Sequence, residues 1–149
     1  KALIDVNGQP IINYQIQALR EVGINNIVII TGKSHEKFEE IYGIVLEAQL
    51  AAEKAAEPGM RAADLDRVSR SVIEKSGYGK YFGHGLGHGV GLDIHERPMV
   101  APSSTDVIEI GSVFTIEPGI YLPDWGGVRI EDVVLMEESG PRVLTKSPK

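Results

Sequence analysis

Three of the four histidines, His84, His88 and His95, sit in one short run, 81–96, where glycine fills every odd position from Gly83 to Gly91. Such a run cannot form a stable helix, because each interior glycine costs about 1 kcal/mol relative to alanine. Read as a strand, its period of two puts His84, Leu86, His88 and Val90 on one face and only glycine on the other. Bare glycine admits the close approach of a second backbone or a ligand. Two carboxylates follow in strand contexts. Glu117 ends an apolar run and precedes Pro118 and Gly119, while Glu131 lies two residues after Arg129 on the same strand face. A carboxylate within an apolar strand is costly unless it is paired or metal-bound. One imidazole and two carboxylates make a borderline-to-hard donor set, suited to Mn²⁺, Co²⁺, Fe²⁺ or Zn²⁺. The competing readings are a glycine-rich hairpin whose histidines bond to backbone, and a plain ion pair between Arg129 and either glutamate.

The elements that must position these groups are legible from periodicity. Residues 2–6 read as a short strand closed by the turn pair Asn7-Gly8, and Pro10 suits the first turn of a helix. Ile12, Ile16 and Leu19 recur at helical spacing up to Gly23. The β-branched run 26–31 reads as a buried strand, so the opening is predicted as a β-α-β unit. A helix is predicted from Ser34, with an apolar stripe from Phe38 through Ile41, Val45, Ala48 and Ala52, broken by Pro58-Gly59. A second helix carries Leu65, Val68, Val72 and Ile73 on one face and stops at Gly77. From Tyr81 onward short strands take over: the histidine run, 113–116, 128–136 and 143–144. This order predicts an α+β chain forming one domain over 1–149.

Composition narrows the function. At 149 residues, 42% hydrophobic and 24% charged, the chain reads as an ordinary soluble globular protein. Its net charge of −6 argues against a nucleic-acid partner and suits a protein that holds cations. With no cysteine, thiolate chemistry and disulfides are excluded. Neither a membrane span nor a signal peptide is read, and nothing opposes a cytoplasmic location.

Three motifs carry a family resemblance. They are Phe82-Gly-His-Gly-Leu-Gly-His-Gly-Val-Gly-Leu-Asp-Ile-His-Glu96, Phe114-Thr-Ile-Glu-Pro-Gly-Ile-Tyr121 and Gly126-Gly-Val-Arg-Ile-Glu-Asp132. In that order they resemble the pita-bread metallopeptidases, which include Xaa-Pro dipeptidases (prolidases), aminopeptidase P and methionine aminopeptidase. The resemblance is nearest to the Xaa-Pro dipeptidases and spans 41–146, so residues 41–149 are expected to form a half pita-bread unit, two helices on a mainly antiparallel sheet. In that family two metal ions share two aspartates, one histidine and two glutamates. The resemblance implies metal ligands at His88, Glu117 and Glu131, with His84, His95 and Arg129 positioning substrate around them. Residues 1–40 look instead like a segment of the sugar-phosphate nucleotidyltransferases, without its glycine-rich nucleotide loop.

The family's two aspartates have no counterpart in the expected place. Asp5 is the only aspartate before Asp64, and the second aspartate's position falls at Ile24, Asn25 or Asn26. The sequence is therefore read as a recombined or designed scaffold, keeping a partial site for one divalent ion (Mn, Co or Zn) and lacking turnover. The alternatives are a metal-dependent Xaa-Pro dipeptidase, with a peptide substrate and replacement ligands from Asp5 or a second copy, and a nucleotide-binding module. A half unit also predicts a homodimer.

Overall fold

The computed structural model describes residues 4–23, 35–147 and 149. The chain divides into two compact units, residues 1–35 with 146–149, and Glu36–Thr145. The strand read over 26–31 and the positions Ile24 to Asn26 lie outside the described residues.

In the first unit, Asn7-Gly8 reverses the chain more tightly than a β-α-β reading requires. Both residues take positive φ, 51° and 84°, the conformation of a two-residue hairpin loop. Strand β1 (Asp5–Val6) consequently pairs antiparallel with β2 (Gln9–Pro10). Helix α1 (Ile11–Glu21) follows directly, as Pro10 leads into it. Asp5 is engaged locally, its Oδ1 accepting from the Gly8 amide at 2.8 Å.

The second unit holds the core. Helix α2 (His35–Ala55) buries Ile41, Val45, Ala48 and Ala52, a stripe whose small residues let the helix axis lie close to its neighbours. Helix α3 (Ala62–Lys75) buries Leu65 and Ile73 and ends at Gly77, φ 83°. Both stripes join one apolar cluster with Phe114, Ile116, Val134 and Met136. The strands are β3 (Gly87–Gly89), β4 (Glu96–Val100), β5 (Val113–Ile116), β6 (Gly119–Leu122), β7 (Gly126–Arg129), β8 (Asp132–Glu137) and β9 (Gly140–Val143). Five of them form an antiparallel sheet in the order β4-β3-β5-β8-β9, and β6 and β7 form a separate hairpin. The α+β expectation of two helices against a mainly antiparallel sheet therefore holds. Several details differ from the sequence reading. The run 128–136 is two strands, interrupted at Ile130 and Glu131, and of the histidine run only Gly87–Gly89 and its last residue, Glu96, are strand. Strands β4 and β6 have no counterpart in that reading, and the last strand is Gly140–Val143 in place of 143–144.

Glycine is obligatory at two places in that strand. A Cβ on Gly87 would lie 1.9 Å from the Thr115 carbonyl oxygen, and one on Gly89 would lie 2.2 Å from that of Arg97. Interior strand β3 is thus squeezed between β5 and β4 by backbone on both sides. Gly87→Ala is expected to cost about 3 kcal/mol, the upper range for overpacking. Urea denaturation measures it, and a loss below about 0.5 kcal/mol, typical of a neutral surface change, would contradict this packing.

Candidate metal and peptide site

The squeezed strand delivers His88 to one cavity. The β3–β4 register shifts between His88 and Gly89, a bulge of the kind that re-aims a side chain. Neighbouring strand β5 presents Thr115, and its end presents Glu117, whose amide bonds the Leu86 carbonyl at 2.8 Å. Glu131 stands in the gap between β7 and β8. The cavity, about 490 Å³, is lined by His88, His95, Thr115, Glu117, Arg129 and Glu131, with the 90–94 loop at its rim. Five of the six residues singled out from sequence therefore share one space.

His84 is the exception. The strand-face reading sets it beside His88, but the chain is not extended there and His84 does not line the cavity. Its Nδ1 bonds the Gly85 carbonyl at 2.7 Å and its Nε2 bonds the Tyr121 hydroxyl at 3.0 Å. The pKa of Arg129 is raised, first by the nearby Tyr121 hydroxyl as an acceptor and also by the charges of Glu117 and Glu131, with burial opposing.

The geometry around His88 defines its chemistry. Its Nδ1 lies 2.9 Å from the Gly89 carbonyl, which can only accept, so Nδ1 carries the proton. Nε2 then faces Glu117 Oε1 at 3.2 Å. The imidazole nitrogen and the carboxylate oxygen thus converge on one point, as two donors to a single cation would. Donation of the far ring N–H to a carbonyl is also how metal-bound histidines are held. Glu117 is largely buried, and the Thr115 hydroxyl donates to its Oε1 at 3.0 Å. His95, exposed at the mouth, sets its ring 4.3 Å from that of His88.

Two supports were not read from the sequence as parts of the site. Asp66 and Arg70 on α3 have the spacing of an ordinary surface ion pair, yet Asp66 is buried. Arg70 grips it with two nitrogens at 2.8 and 2.9 Å and donates onward to the carbonyls of Phe82 and His84. Asp66 also accepts the Leu86 amide at 3.0 Å. This pair therefore clamps the backbone entering β3. Likewise Gln49 of α2 donates to Asp132 at 2.9 Å, next to Glu131. Only the presence of polar residues on otherwise apolar helix faces could have signalled either.

A model of metallopeptidase family M24 matches residues 24–138. The chain belongs to metallopeptidase family M24. It is 54% identical over 121 residues to the Xaa-Pro dipeptidase of Pyrococcus furiosus, covering 81% of this chain and 35% of that protein. Among solved structures, the prolidase from Pyrococcus horikoshii OT3 superposes with a TM-score of 0.77 at 51% identity, over 81% of this chain and 35% of that one. The N-terminal domain of the FACT complex subunit SPT16 from Cicer arietinum shares the fold alone, with a TM-score of 0.63 at 18% identity over 72% and 28% of the two chains. This M24 chain spans about a third of the length of the peptidases it matches, and its second unit is half of a pita-bread fold.

These findings overturn the reading of a recombined or designed scaffold without turnover. An M24 chain about half identical to named Xaa-Pro dipeptidases is explained by descent within that family. The family match begins at residue 24, so residues 24–40, which the sequence reading gave to a nucleotidyltransferase segment, fall inside the peptidase family. The chimera, and the nucleotide-binding alternative resting on it, are withdrawn.

The residues of this M24 chain fit a divalent ion in kind. His88 and Glu117 converge, and the His88 tautomer leaves Nε2 free to ligate. Glu131 meets Glu117 only through Arg129, whose Nε lies 3.6 Å from Glu117 and 3.7 Å from Glu131. Among the described residues no group of three or more His, Asp or Glu side chains is arranged to hold an ion. No helix among them is long and apolar enough to cross a membrane.

Proposed function

We propose that this chain carries the metal-holding and substrate-positioning part of a divalent-metal-dependent hydrolase of the Xaa-Pro dipeptidase type. The observation that carries this reading is the cavity that gathers His88, His95, Glu117, Arg129 and Glu131, in a chain about half identical to Xaa-Pro dipeptidases over most of its length. His88, Glu117 and Glu131 would hold Mn²⁺, Co²⁺ or Zn²⁺. The ion supplies a Lewis acid and a water of lowered pKa.

The protein's own groups do the rest. The Gly89 carbonyl fixes the His88 ring so that Nε2 points inward, and the Thr115 hydroxyl fixes the Glu117 carboxylate. His95, at the mouth, would donate an N–H to a peptide carbonyl entering the cavity. Exposed Leu92 and Ile94 on the rim offer apolar surface to a side chain such as proline. His84 acts at one remove, by holding the Tyr121 hydroxyl. In this reading two copies of the half unit associate as a homodimer, which a monomeric mass by light scattering at high concentration would refute.

Hydrolysis of Xaa-Pro dipeptides with added Mn²⁺ or Co²⁺ tests the function directly. Turnover is expected to require the metal and to fall by more than about 100-fold in His88→Ala, since even supporting residues of metal sites cost 10–100-fold. Absence of any metal-dependent hydrolysis by the folded chain would refute the reading.

A further inference from the structure

The cavity holds a cation already. Among the described residues that line it, Arg129 is the only lysine or arginine, set against the carboxylates of Glu117 and Glu131. Its Nε is almost equidistant from Glu117 and Glu131, 3.6 and 3.7 Å. One guanidinium nitrogen thus occupies the space that joins the two carboxylates. We propose that Arg129 is a resident counter-cation of the metal-free site, which a divalent ion must displace before both glutamates can bind it. This rests on the proposed metal-holding role of His88, Glu117 and Glu131.

The structure supplies both reasons for such a device. Glu117 is largely buried, and burying a carboxylate without a compensating positive charge is expensive. Arg129 provides that charge when no ion is present. The arginine is also built to leave. Its side chain is 46% exposed, so on withdrawing the guanidinium gains water. Uptake of the ion is then weakened by the fraction of molecules in which Arg129 still spans the carboxylates, as for any site whose competent state is only partly populated.

The sign of one substitution decides the matter. An arginine that supports the ligands makes its removal weaken metal binding; a resident competitor makes its removal strengthen it. Calorimetric titration with Co²⁺ of the unsubstituted chain and of Arg129→Met, which keeps the length and loses the charge, is expected to show three- to tenfold tighter uptake by the variant, on the order of one or two partly exposed ion pairs. Arg129→Lys keeps the charge and is expected to stay within about twofold of the parent. Should Arg129→Met unfold, the Arg129 Nε–H resonance of the parent, followed during Zn²⁺ addition, replaces it. The signal should move toward a solvated guanidinium as the ion binds. Weaker or equal binding by Arg129→Met, or an Nε–H signal unmoved at saturation, overturns the proposal while leaving the metal site standing. Uptake by neither protein overturns the metal site and the proposal together.

Discussion

Asp66→Ala is expected to lower the folding stability by about 3–5 kcal/mol, the usual cost of breaking a buried ion pair from one side. Three donors lose a bond at once. Arg70 Nε loses its acceptor and Nη2 keeps only the His84 carbonyl, with the Arg70 side chain only 19% exposed, and the Leu86 amide is orphaned next to a fully buried side chain. Because Arg70 also holds the Phe82 and His84 carbonyls, the loss propagates to the backbone that feeds β3 and aims His88. Asp66→Asn retains an oxygen for the Leu86 amide and is expected to cost less, about 1–3 kcal/mol. Urea unfolding of both variants measures the effect. A loss below about 1 kcal/mol in Asp66→Ala would mean that the pair behaves as a surface i,i+4 pair, and that the clamp is not what fixes the histidine run.

The second large effect concerns the ion and leaves the fold nearly untouched. Glu117→Gln combined with Glu131→Gln is expected to abolish measurable Co²⁺ uptake and to lower Xaa-Pro hydrolysis by more than about 100-fold, beyond the range for residues that only support a ligand. Glutamine preserves the shape of each side chain, and the Thr115 hydroxyl still has an oxygen to donate to at position 117. Arg129 loses two partners, but a half-exposed guanidinium is readily solvated, so stability should change by no more than about 1 kcal/mol. Calorimetry with Co²⁺ on parent and double variant separates the outcomes. Equal heats from both would show that any bound ion sits elsewhere and would remove these carboxylates from the site.

Much of the candidate site is readable one residue at a time, because the relevant chemistry is local. The glycine alternation from Gly83 to Gly91 excludes a helix, and the contacts at Gly87 and Gly89 are the close backbone approach that such residues permit. Apolar spacing locates α2 and α3, and the strand texture after Tyr81 leads to an α+β chain. Strand ends follow less well. Ile130 and Glu131 sit within an apolar run, and local pattern cannot show that the chain leaves the β6–β7 hairpin there to enter the main sheet. The same limit misplaces His84, since period two applies only while the backbone remains extended.

The absence of the expected aspartates weighs heavily in a single sequence, and it supports a scaffold that the family relationship overturns. A motif comparison assesses a few ligands; descent is carried by the whole stretch from residue 24 to 138. What the sequence by itself determined is the fold class and the glycine strand that carries His88, because residue type and short-range spacing are sufficient for each. Tertiary structure alone decided that Asp66 and Arg70 are a buried clamp rather than a surface pair, and that His84 lies outside the cavity, bonded to Tyr121. It also decided that Arg129 spans Glu117 and Glu131. Each depends on which groups distant in the chain share one desolvated space, and burial of that kind leaves no local imprint on the residues involved.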